Sequence, residues 1–366
     1  MTVTAPAHPI PYAADLERPE PDEAVVTQGI VDQMRKIGET VFKDSGHAER
    51  GVHAKSHGLL RGELRVLDGL PPALAQGLFA APGTYPVIMR LSTNPGDVLD
   101  DSVSTPRGLG LKIIGIAGER LPDAPGDTQD FVMANAPAFV AGTPKAFLKN
   151  LKLLAATTDT PQILKKAFSA VLRGAEATLE TFGTKSGTLI ALGGQPETHI
   201  LGETFYSQVP IRYGAYVAKV AVRPASPDLE SLRQAPLNVN GKPNGLREAV
   251  AAHFAEHDAA WEVCVQLNTS TETMPIEDAS VAWSEEESPY LPVARITVPR
   301  QDGWDEGKHA AIDDRMSFSP WHGLAAHRPL GAIMRVRKAV YESSVRFRAE
   351  ANGVTVAEPT RDGAAA

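Results

Sequence analysis

Cysteine is almost absent from this chain, which carries only Cys264 among its 366 residues. A single cysteine cannot form an internal disulfide, and this fits a protein of a reducing compartment. The sequence has no stretch of about 18 uninterrupted apolar residues, so we expect no membrane-spanning helix. It also lacks the basic start and short apolar run of a secretory signal. These absences predict a cytoplasmic protein.

Basic residues are in the minority, since 36 lysines and arginines stand against 44 aspartates and glutamates. The formal net charge of −8 argues against nucleic acid or an anionic membrane as the main partner. Hydrophobic residues make up 43% and charged residues 22%, which is typical of a globular protein with a sizeable core. The length allows one large domain or two ordinary ones.

Short segments rich in strand-forming residues recur along the chain, each bounded by glycine, proline or aspartate. We predict strands at residues 51–67, 85–92, 108–116, 130–133, 215–222, 261–267 and 294–298, and helices at 25–41, 246–259, 330–348 and within 144–192. The strands do not alternate regularly with helices, which favours a mostly antiparallel sheet. The predicted fold class is α+β, with about eight antiparallel strands closed into a β-barrel and helices packed around it.

The first 24 residues are rich in proline and acidic residues. We interpret residues 1–24 as an extended arm that lies over the surface or reaches a neighbouring subunit, which favours a homo-oligomer. Residues 25–358 show no compositional break and are predicted to form one domain. Residues 359–366 are predicted to be a disordered tail.

The last predicted helix places two arginines and a tyrosine on one face, because Arg337, Tyr341 and Arg348 are offset by four and seven residues. Nearby positive charge favours the phenolate form of a tyrosine. A phenolate is an anionic oxygen ligand for ferric iron, and tyrosinate is one of the few protein ligands of haem iron. The alternative is that Tyr341 is a core tyrosine and the arginines are surface charges.

Several other segments occur in a distinctive order. They are Arg50-Gly51-Val52-His53, Arg90-Leu91-Ser92-Thr93, Pro106-Arg107-Gly108, the stretch from Asp130 to Pro137, and Phe318-Ser319-Pro320 ahead of Arg337 and Tyr341. In this order and spacing the chain resembles the haem catalase family, in its shorter, catalase-related peroxidase subgroup. The resemblance spans residues 50–348 and implies a catalase-like eight-stranded antiparallel β-barrel that binds haem b.

The resemblance implies a role for each residue on the distal side of the haem. His53 would take a proton from the incoming peroxide and return it to the departing oxygen, a task suited to a neutral imidazole. Ser92 would hydrogen-bond that imidazole and fix its tautomer. Phe139 and Phe147 match distal aromatic positions that face the cofactor. Without the resemblance, His53 would be a satisfied barrel histidine and Ser92 a buried hydroxyl bonded to backbone.

On the proximal side, the resemblance implies that Tyr341 is the iron ligand and that Arg337 neutralises its phenolate. Arg50, Arg90 and Arg348 would face the haem propionates, since guanidinium–carboxylate forks are strong and geometrically matched.

The match breaks at the distal amide, where Ala134 stands in place of the family's asparagine and Asn135 follows one residue later. Successive residues of a strand point to opposite faces, so Asn135 would face away from the haem in a regular strand. A local bulge would return its amide to the catalytic site, and the sequence leaves both arrangements open.

Three further departures concern access to the distal side. Asn94 and Thr105 replace the valine and aspartate of the family's peroxide channel, and Val140 replaces the second residue of a phenylalanine pair. A wider channel without its charge would admit a peroxide larger than hydrogen peroxide.

Together these features predict a haem-dependent enzyme that acts on small-molecule peroxides and uses an electron donor that the sequence does not specify. It would be a peroxidase or weak catalase that prefers organic hydroperoxides. The alternatives are a hydroperoxide lyase or allene oxide synthase-like isomerase, a non-catalytic haem-binding protein, and a metal-free remnant of the fold.

Histidines elsewhere offer secondary alternatives. His253 and His257 are four residues apart on a predicted helix, a spacing that can bind zinc, but the glutamate of zinc proteases does not follow the first histidine. We interpret this pair as part of an exposed helix face. His322 and His327 are secondary candidates for haem ligation.

Overall fold

The computed structural model describes residue 6 and residues 8–155 and 195–361. Residues 156–192 of the predicted helical section, residues 1–5 and 7 of the arm, and residues 362–366 of the tail lie outside the described residues.

The described residues form nine strands, all paired antiparallel with their neighbours. The strands are β1 (Lys55–Val66), β2 (Thr84–Thr93), β3 (Arg107–Ile113), β4 (Gln129–Ala134), β5 (Phe205–Tyr206), β6 (Ile211–Tyr213), β7 (Tyr216–Pro224), β8 (Ala259–Leu267) and β9 (Leu291–Val298).

The sheet closes on itself into a barrel. Neighbouring strands follow the order β5-β4-β3-β2-β1-β9-β8-β7, and β5 also pairs with β7 through Tyr206 opposite Ala221. This closure gives the predicted eight-stranded antiparallel barrel. The short strand β6 extends the sheet as a hairpin with β7, and Gly214, with φ of 60°, occupies the first position of their two-residue turn.

Alternation along the strands fills the barrel interior. In β3, Leu109, Leu111 and Ile113 belong to the buried core, whereas Gly108 and Gly110 fall at the alternate positions. Further core residues come from the other strands, among them Leu60, Leu64, Met89, Leu91, Val220, Val222, Val263, Val265 and Ile296. Complete burial of one such large apolar side chain contributes about 1.5–3 kcal/mol, so this interior is the main source of stability.

The helices are α1 (Glu23–Ser45), α2 (Pro144–Ala155), α3 (Pro227–Ser231), α4 (Gly245–Glu256), α5 (Glu306–Lys308) and α6 (Ala332–Asn352), with a π-helical turn at His309–Asp314. Helix α1 buries a stripe with helical spacing that includes Ile30, Met34 and Ile37, and this stripe packs against Val336 and Val340 of α6. Helices thus pack around the barrel, as the sequence predicted.

The described part of the arm lies on this chain's own barrel and helices. The Tyr12 N–H donates to the Ala215 carbonyl at 2.8 Å. Glu17 accepts from Arg335 of α6, with 2.8 Å between Oε1 and Nη1. The arm therefore ties the start of the chain to the last helix.

Within the described residues, the strands and helices predicted from the sequence are confirmed, with ends that differ by a few residues. The strands β5 and β6 escaped prediction because two or three residues show no periodicity. The strand predicted from residue 51 is wrong at its start, since β1 begins at Lys55 and His53 lies in a bend before it. None of the described helices is long and apolar enough to cross a bilayer.

Candidate active site

One cavity, with about 630 Å³ of empty space, is bounded by β2, β3, β4, the segment before β1, and helices α1 and α6. Among the residues that line it are six of the ten site residues predicted from the sequence: Arg50, His53, Arg90, Ser92, Tyr341 and Arg348. The fold therefore brings both ends of the predicted site into one space.

His53 is held in the cavity by its backbone and by a glycine of β3. Its φ is 53°, a left-handed conformation that few non-glycine residues adopt and that often marks a functional position. The imidazole lies against Gly108 so closely that a Cβ on this glycine would be 2.5 Å from Nδ1. Only glycine at position 108 allows the ring to occupy this place.

The imidazole of His53 is neutral at physiological pH. Burial, with the positive charges of Arg90 and Arg337, lowers its pKa from 6.5 to about 3. Its Nδ1 is buried and has no hydrogen-bond partner among the described residues. A neutral imidazole with an uncommitted nitrogen can accept a proton from a ligand in the cavity.

Ser92 lines the same cavity but does not make the predicted hydrogen bond to His53. Its hydroxyl donates to the Gly108 carbonyl at 3.4 Å. The expectation that Ser92 fixes the tautomer of His53 is wrong for this arrangement, because the neighbouring carbonyl takes the hydroxyl proton.

Arg50, Arg90 and Arg348, called the arginine cluster below, converge in the cavity wall. Arg90 donates from Nε to the carboxylate of Asp313 and from Nη2 to the Ala54 carbonyl at 2.9 Å. Nη2 of Arg50 donates to the Asp313 carbonyl at 3.1 Å and to two neighbouring carbonyls. The three side chains predicted to bind propionates therefore do lie together.

Asp313 is the residue that the sequence analysis missed. It lies in the π-helical turn, and its side chain is 5% exposed. Its Oδ2 accepts from the Ser56 hydroxyl at 2.6 Å, and its Oδ1 lies 3.5 Å from Nε of Arg50. Burial opposes ionisation, but Arg90, Arg50 and the Ser56 hydrogen bond lower the pKa of Asp313 well below its usual range. No motif marked this residue in the sequence, because the adjacent aspartates Asp313 and Asp314 ahead of Phe318 belong to no recognised pattern.

Arg348 keeps one edge of its guanidinium without a partner. Nη1 donates to the Asp313 carbonyl at 2.6 Å, whereas Nε and Nη2 are buried and have no hydrogen-bond partner among the described residues. Burial, followed by repulsion from Arg90, lowers the pKa of Arg348 to about 10, so the group stays charged at neutral pH. Nε and Nη2 form the edge that matches a carboxylate with two parallel hydrogen bonds.

Tyr341 lines the cavity from α6, but Arg337 does not join it there. The guanidinium of Arg337 lies over the ring of Phe139, 5.3 Å from its centroid, and Nη1 is 3.9 Å from Sδ of Met334. The predicted neutralising contact between Arg337 and Tyr341 is therefore not formed. The offset of four residues brings the two Cβ atoms together, but the long side chain of Arg337 turns away.

Phe139 and Phe147 are also absent from the cavity lining. Their ring centroids are 5.1 Å apart, and both rings pack against the hydrophobic core. The structure thus places these two predicted cofactor-binding residues in a supporting layer.

Asn135 faces away from the cavity, which answers the question that the sequence left open. The register of β3 and β4 runs without a shift from Ile113↔Gln129 to Gly108↔Ala134, so no bulge re-aims the next residue. Oδ1 of Asn135 accepts from the Arg107 N–H at 3.0 Å, and Nδ2 donates to Glu203 at 3.2 Å. The predicted catalytic role of Asn135 does not fit this position.

The remaining candidate histidines are engaged outside the cavity. His327 is buried, and its Nε2 accepts from the Leu78 N–H at 2.9 Å. His253 lies on α4 and His257 just beyond it, with ring centroids 5.4 Å apart and ring planes tilted by 39°. Neither arrangement supports a role in ligating haem or zinc.

His322 belongs to a buried charge network around Lys112. The Lys112 ammonium donates to Asp130 at 2.7 Å and to Glu358, and Nδ1 of His322 lies 3.3 Å from Glu358. Asp130, His322 and Glu358 are the one grouping of three possible metal ligands in the described part of the chain. Because the ammonium already lies among these carboxylates, we assign the grouping to an ion-pair network and not to a metal.

Comparisons with known proteins identify the fold. No family model matches the sequence, and no curated protein matches it. Among solved structures, the chain is similar to a fungal catalase (TM-score 0.60, 17% identity), to catalase A from Saccharomyces cerevisiae (0.60, 16%) and to a bacterial catalase (0.57, 16%). The alignments cover 85% of this chain but only 61%, 63% and 59% of those chains. The fold is therefore the catalase-like barrel with surrounding helices, in a chain that spans about three-fifths of the length of these catalases.

Proposed function

We propose that this chain is a haem-binding oxidoreductase that reduces peroxides and prefers organic hydroperoxides. The observation that supports this most directly is the shared cavity, which contains both His53 and Tyr341. A neutral base and an oxygen ligand for ferric iron thus border the same space, and this is the combination that haem peroxide chemistry requires.

The residues present fit a haem b. Tyr341 offers the ligand oxygen, and the free edge of Arg348 offers a fork for a propionate. Gly108 and Gly110 leave room on β3 for the imidazole of His53 and the ring of Phe318, which both border the cavity. When bound, the haem would supply the iron that accepts and reduces the peroxide.

The chain's own part in the reaction is proton transfer and orientation. His53 would take the proton from the peroxide oxygen that approaches the iron and return it to the oxygen that leaves. The low pKa of its buried imidazole keeps the ring unprotonated before the peroxide arrives, as a base must be. The electrons would come from a separate small-molecule donor.

The position of Asn135 supports a preference for peroxidase chemistry. Turnover of hydrogen peroxide to oxygen needs a second peroxide held by both imidazole and amide, and here the amide binds Arg107 and Glu203 instead. Thr105 is uncharged, and its hydroxyl donates to the Asn94 carbonyl. The resemblance places Thr105 where the catalase family has a channel aspartate, and the lack of a carboxylate at this position supports a larger, less polar hydroperoxide as substrate.

A non-catalytic haem-binding protein is the second candidate, and the same displacement of Asn135 favours it. A haem carrier needs the ligand and the propionate fork but not the distal amide. Such a protein would bind haem fully and turn over no peroxide.

A haemin titration tests the first step. We expect a Soret band that saturates at one haem per chain and the spectrum of a tyrosinate-ligated ferric haem. Assays with cumene hydroperoxide and a chromogenic donor should then show faster turnover than oxygen release from hydrogen peroxide. Full haem occupancy without turnover of either peroxide would favour the carrier, and absence of a Soret band would overturn the proposal. Sedimentation of the same sample would test the expected homo-oligomer.

A further inference from the structure

We propose that Asp313 is a positioning residue, an internal carboxylate that holds the arginine cluster in the geometry needed to bind the carboxylates of the cavity ligand. This inference rests on the proposed function only for the identity of that ligand. The cluster itself, with Asp313 at its centre, is a property of the chain.

The contacts of Asp313 carry the inference. Its carboxylate contacts Arg90 and Arg50, and its main-chain oxygen accepts from Arg50 and Arg348. One residue thus engages all three guanidiniums. The Ser56 hydroxyl, which also accepts from the Trp304 indole at 2.9 Å, fixes the second carboxylate oxygen at 2.6 Å.

The charges of Asp313 and the arginine cluster indicate a role beyond packing. The three guanidiniums and the one carboxylate that contacts them leave two positive charges in a wall that is almost fully buried, with Arg90 and Arg348 only 3% and 2% exposed. Glu49 and Asp314 act on Arg348 without a direct contact. Buried like charges repel strongly, so a permanent counter-charge is needed to keep them together before any ligand binds. Two remaining charges match a ligand with two carboxylates.

Hydrogen-bond geometry points the same way. Asp313 occupies Nε of Arg90 and approaches Nε of Arg50, whereas Nε and Nη2 of Arg348 stay unpartnered. Buried donors without partners are costly and are usually completed by a ligand or water. Asp313 therefore directs the free edge of Arg348 toward the ligand by holding its opposite nitrogen, Nη1.

The test uses Asp313→Ala with formate as the probe, since formate can replace the deleted carboxylate in the space that the side chain leaves. We expect the variant to bind haemin about tenfold or more weakly than the wild type, because a buried charge pair has lost one partner. Formate should strengthen haemin binding by Asp313→Ala, whereas in the wild type it should only compete for the free edge of Arg348 and weaken binding.

Two matched variants separate positioning from general stability. Asp313→Asn fills the same space without charge, so its haemin affinity should fall and formate should not restore it. Asp314→Ala is the control, because Asp314 lies in the same turn but pairs with His47, 2.9 Å away. Its charge acts on Arg348 without a direct contact, so its removal should cost much less affinity. Wild-type affinity in Asp313→Ala, or a loss that formate does not repair, would overturn the inference.

Thermal unfolding without haemin distinguishes this inference from the proposed function. Formate should raise the melting temperature of Asp313→Ala by several degrees more than that of the wild type, in which only the free edge of Arg348 is open to it. If the wild type bound no haemin but this stabilisation appeared, the haem proposal would fail and the role of Asp313 would stand. If neither Asp313 variant folded, even with formate, Asp313 would be a folding residue and the inference would be wrong.

Discussion

The imidazole of His53 lies against Gly108, where a Cβ would come within 2.5 Å of Nδ1. This contact and the left-handed backbone of His53 position the ring, while the Ser92 hydroxyl bonds elsewhere. The imidazole of His53 is therefore oriented by steric fit against β3 and not by a hydrogen bond from Ser92.

Substitution of Gly108 tests that steric fit. Gly108→Ala should push the imidazole from its place and reduce kcat/KM for a hydroperoxide by about tenfold or more, since small displacements of a catalytic group are costly. Haem binding, read from the Soret band, should persist. Gly58→Ala, on β1, is the control, because its Cβ would meet Val250 at 3.0 Å and Leu91 at 3.1 Å and not His53. Unchanged turnover in Gly108→Ala would contradict this account.

Removal of the imidazole tests its proposed role directly. His53→Ala should lower peroxide-driven turnover by about 10²–10⁴-fold, the usual contribution of a general acid–base group, with haem still bound. His253→Ala, on α4, should behave as the wild type. Turnover that persisted in His53→Ala would show that another group transfers the proton.

Tyr341→Phe should remove the iron ligand while preserving the shape of the side chain. We expect a changed Soret spectrum and weaker retention of haem on gel filtration. Tyr85→Phe, on β2, is the matched control. A wild-type spectrum from Tyr341→Phe would rule out ligation by this tyrosine.

Asn135→Ala should leave catalysis almost intact, because the amide contacts Arg107 and Glu203 and not the cavity. We expect kcat/KM within about twofold of the wild type and a loss of about 1 kcal/mol in the free energy of unfolding. A fall in turnover of more than tenfold would show that the amide reaches the bound peroxide.

The network around Lys112 predicts how stability depends on pH. Burial lowers the pKa of His322, but the carboxylates of Asp130 and Glu358, 3.5 and 3.3 Å from Nδ1, raise it from 6.5 to about 9. The folded state thus keeps a proton that the unfolded state releases above pH 6.5, so this stabilisation is complete below pH 6.5 and lost toward pH 9. The loss should reach about 3 kcal/mol. Urea unfolding at pH 6 and 9 should show it, and His322→Gln should abolish it while His257→Gln should not.

The same network should weaken again in acid. Burial raises the pKa of Glu358, but His322 and Lys112 lower it from 4.5 to about 2. This contribution is present above pH 4.5 and is lost as the pH falls toward 2. The stabilisation from this pair is therefore greatest between pH 4.5 and 6.5, and Glu358→Gln should flatten the acid side of the profile.

Much of the fold followed from local patterns in the sequence. Recurring short strand segments that do not alternate regularly with helices, together with the family resemblance, were enough to predict a closed antiparallel barrel with helices outside. The two shortest strands were missed because their pairing depends on closure of the barrel, which no local pattern encodes.

The sequence predicted several of the residues that come together in the candidate site, but not which hydrogen-bond partners their side chains select. Strand β2 and helix α6 both border the cavity, so the order of the motifs along the chain was enough to find Arg90 and Tyr341. The partners that each side chain selects depend on register and packing, and for this reason Asn135, Arg337 and Ser92 differ from expectation. Asp313 was hidden because its role arises from three arginines that are distant in sequence.

The charge network has a practical consequence for work with the chain's end. Glu358 lies beyond the last helix, yet its carboxylate reaches Lys112 inside the barrel wall and accepts from Ser317, next to the cavity residue Phe318. Trimming the protein after Gly353 would leave that lysine with one counter-ion fewer and loosen the loop that forms part of the pocket floor. Affinity tags are better joined after Arg361 than substituted for the residues before it.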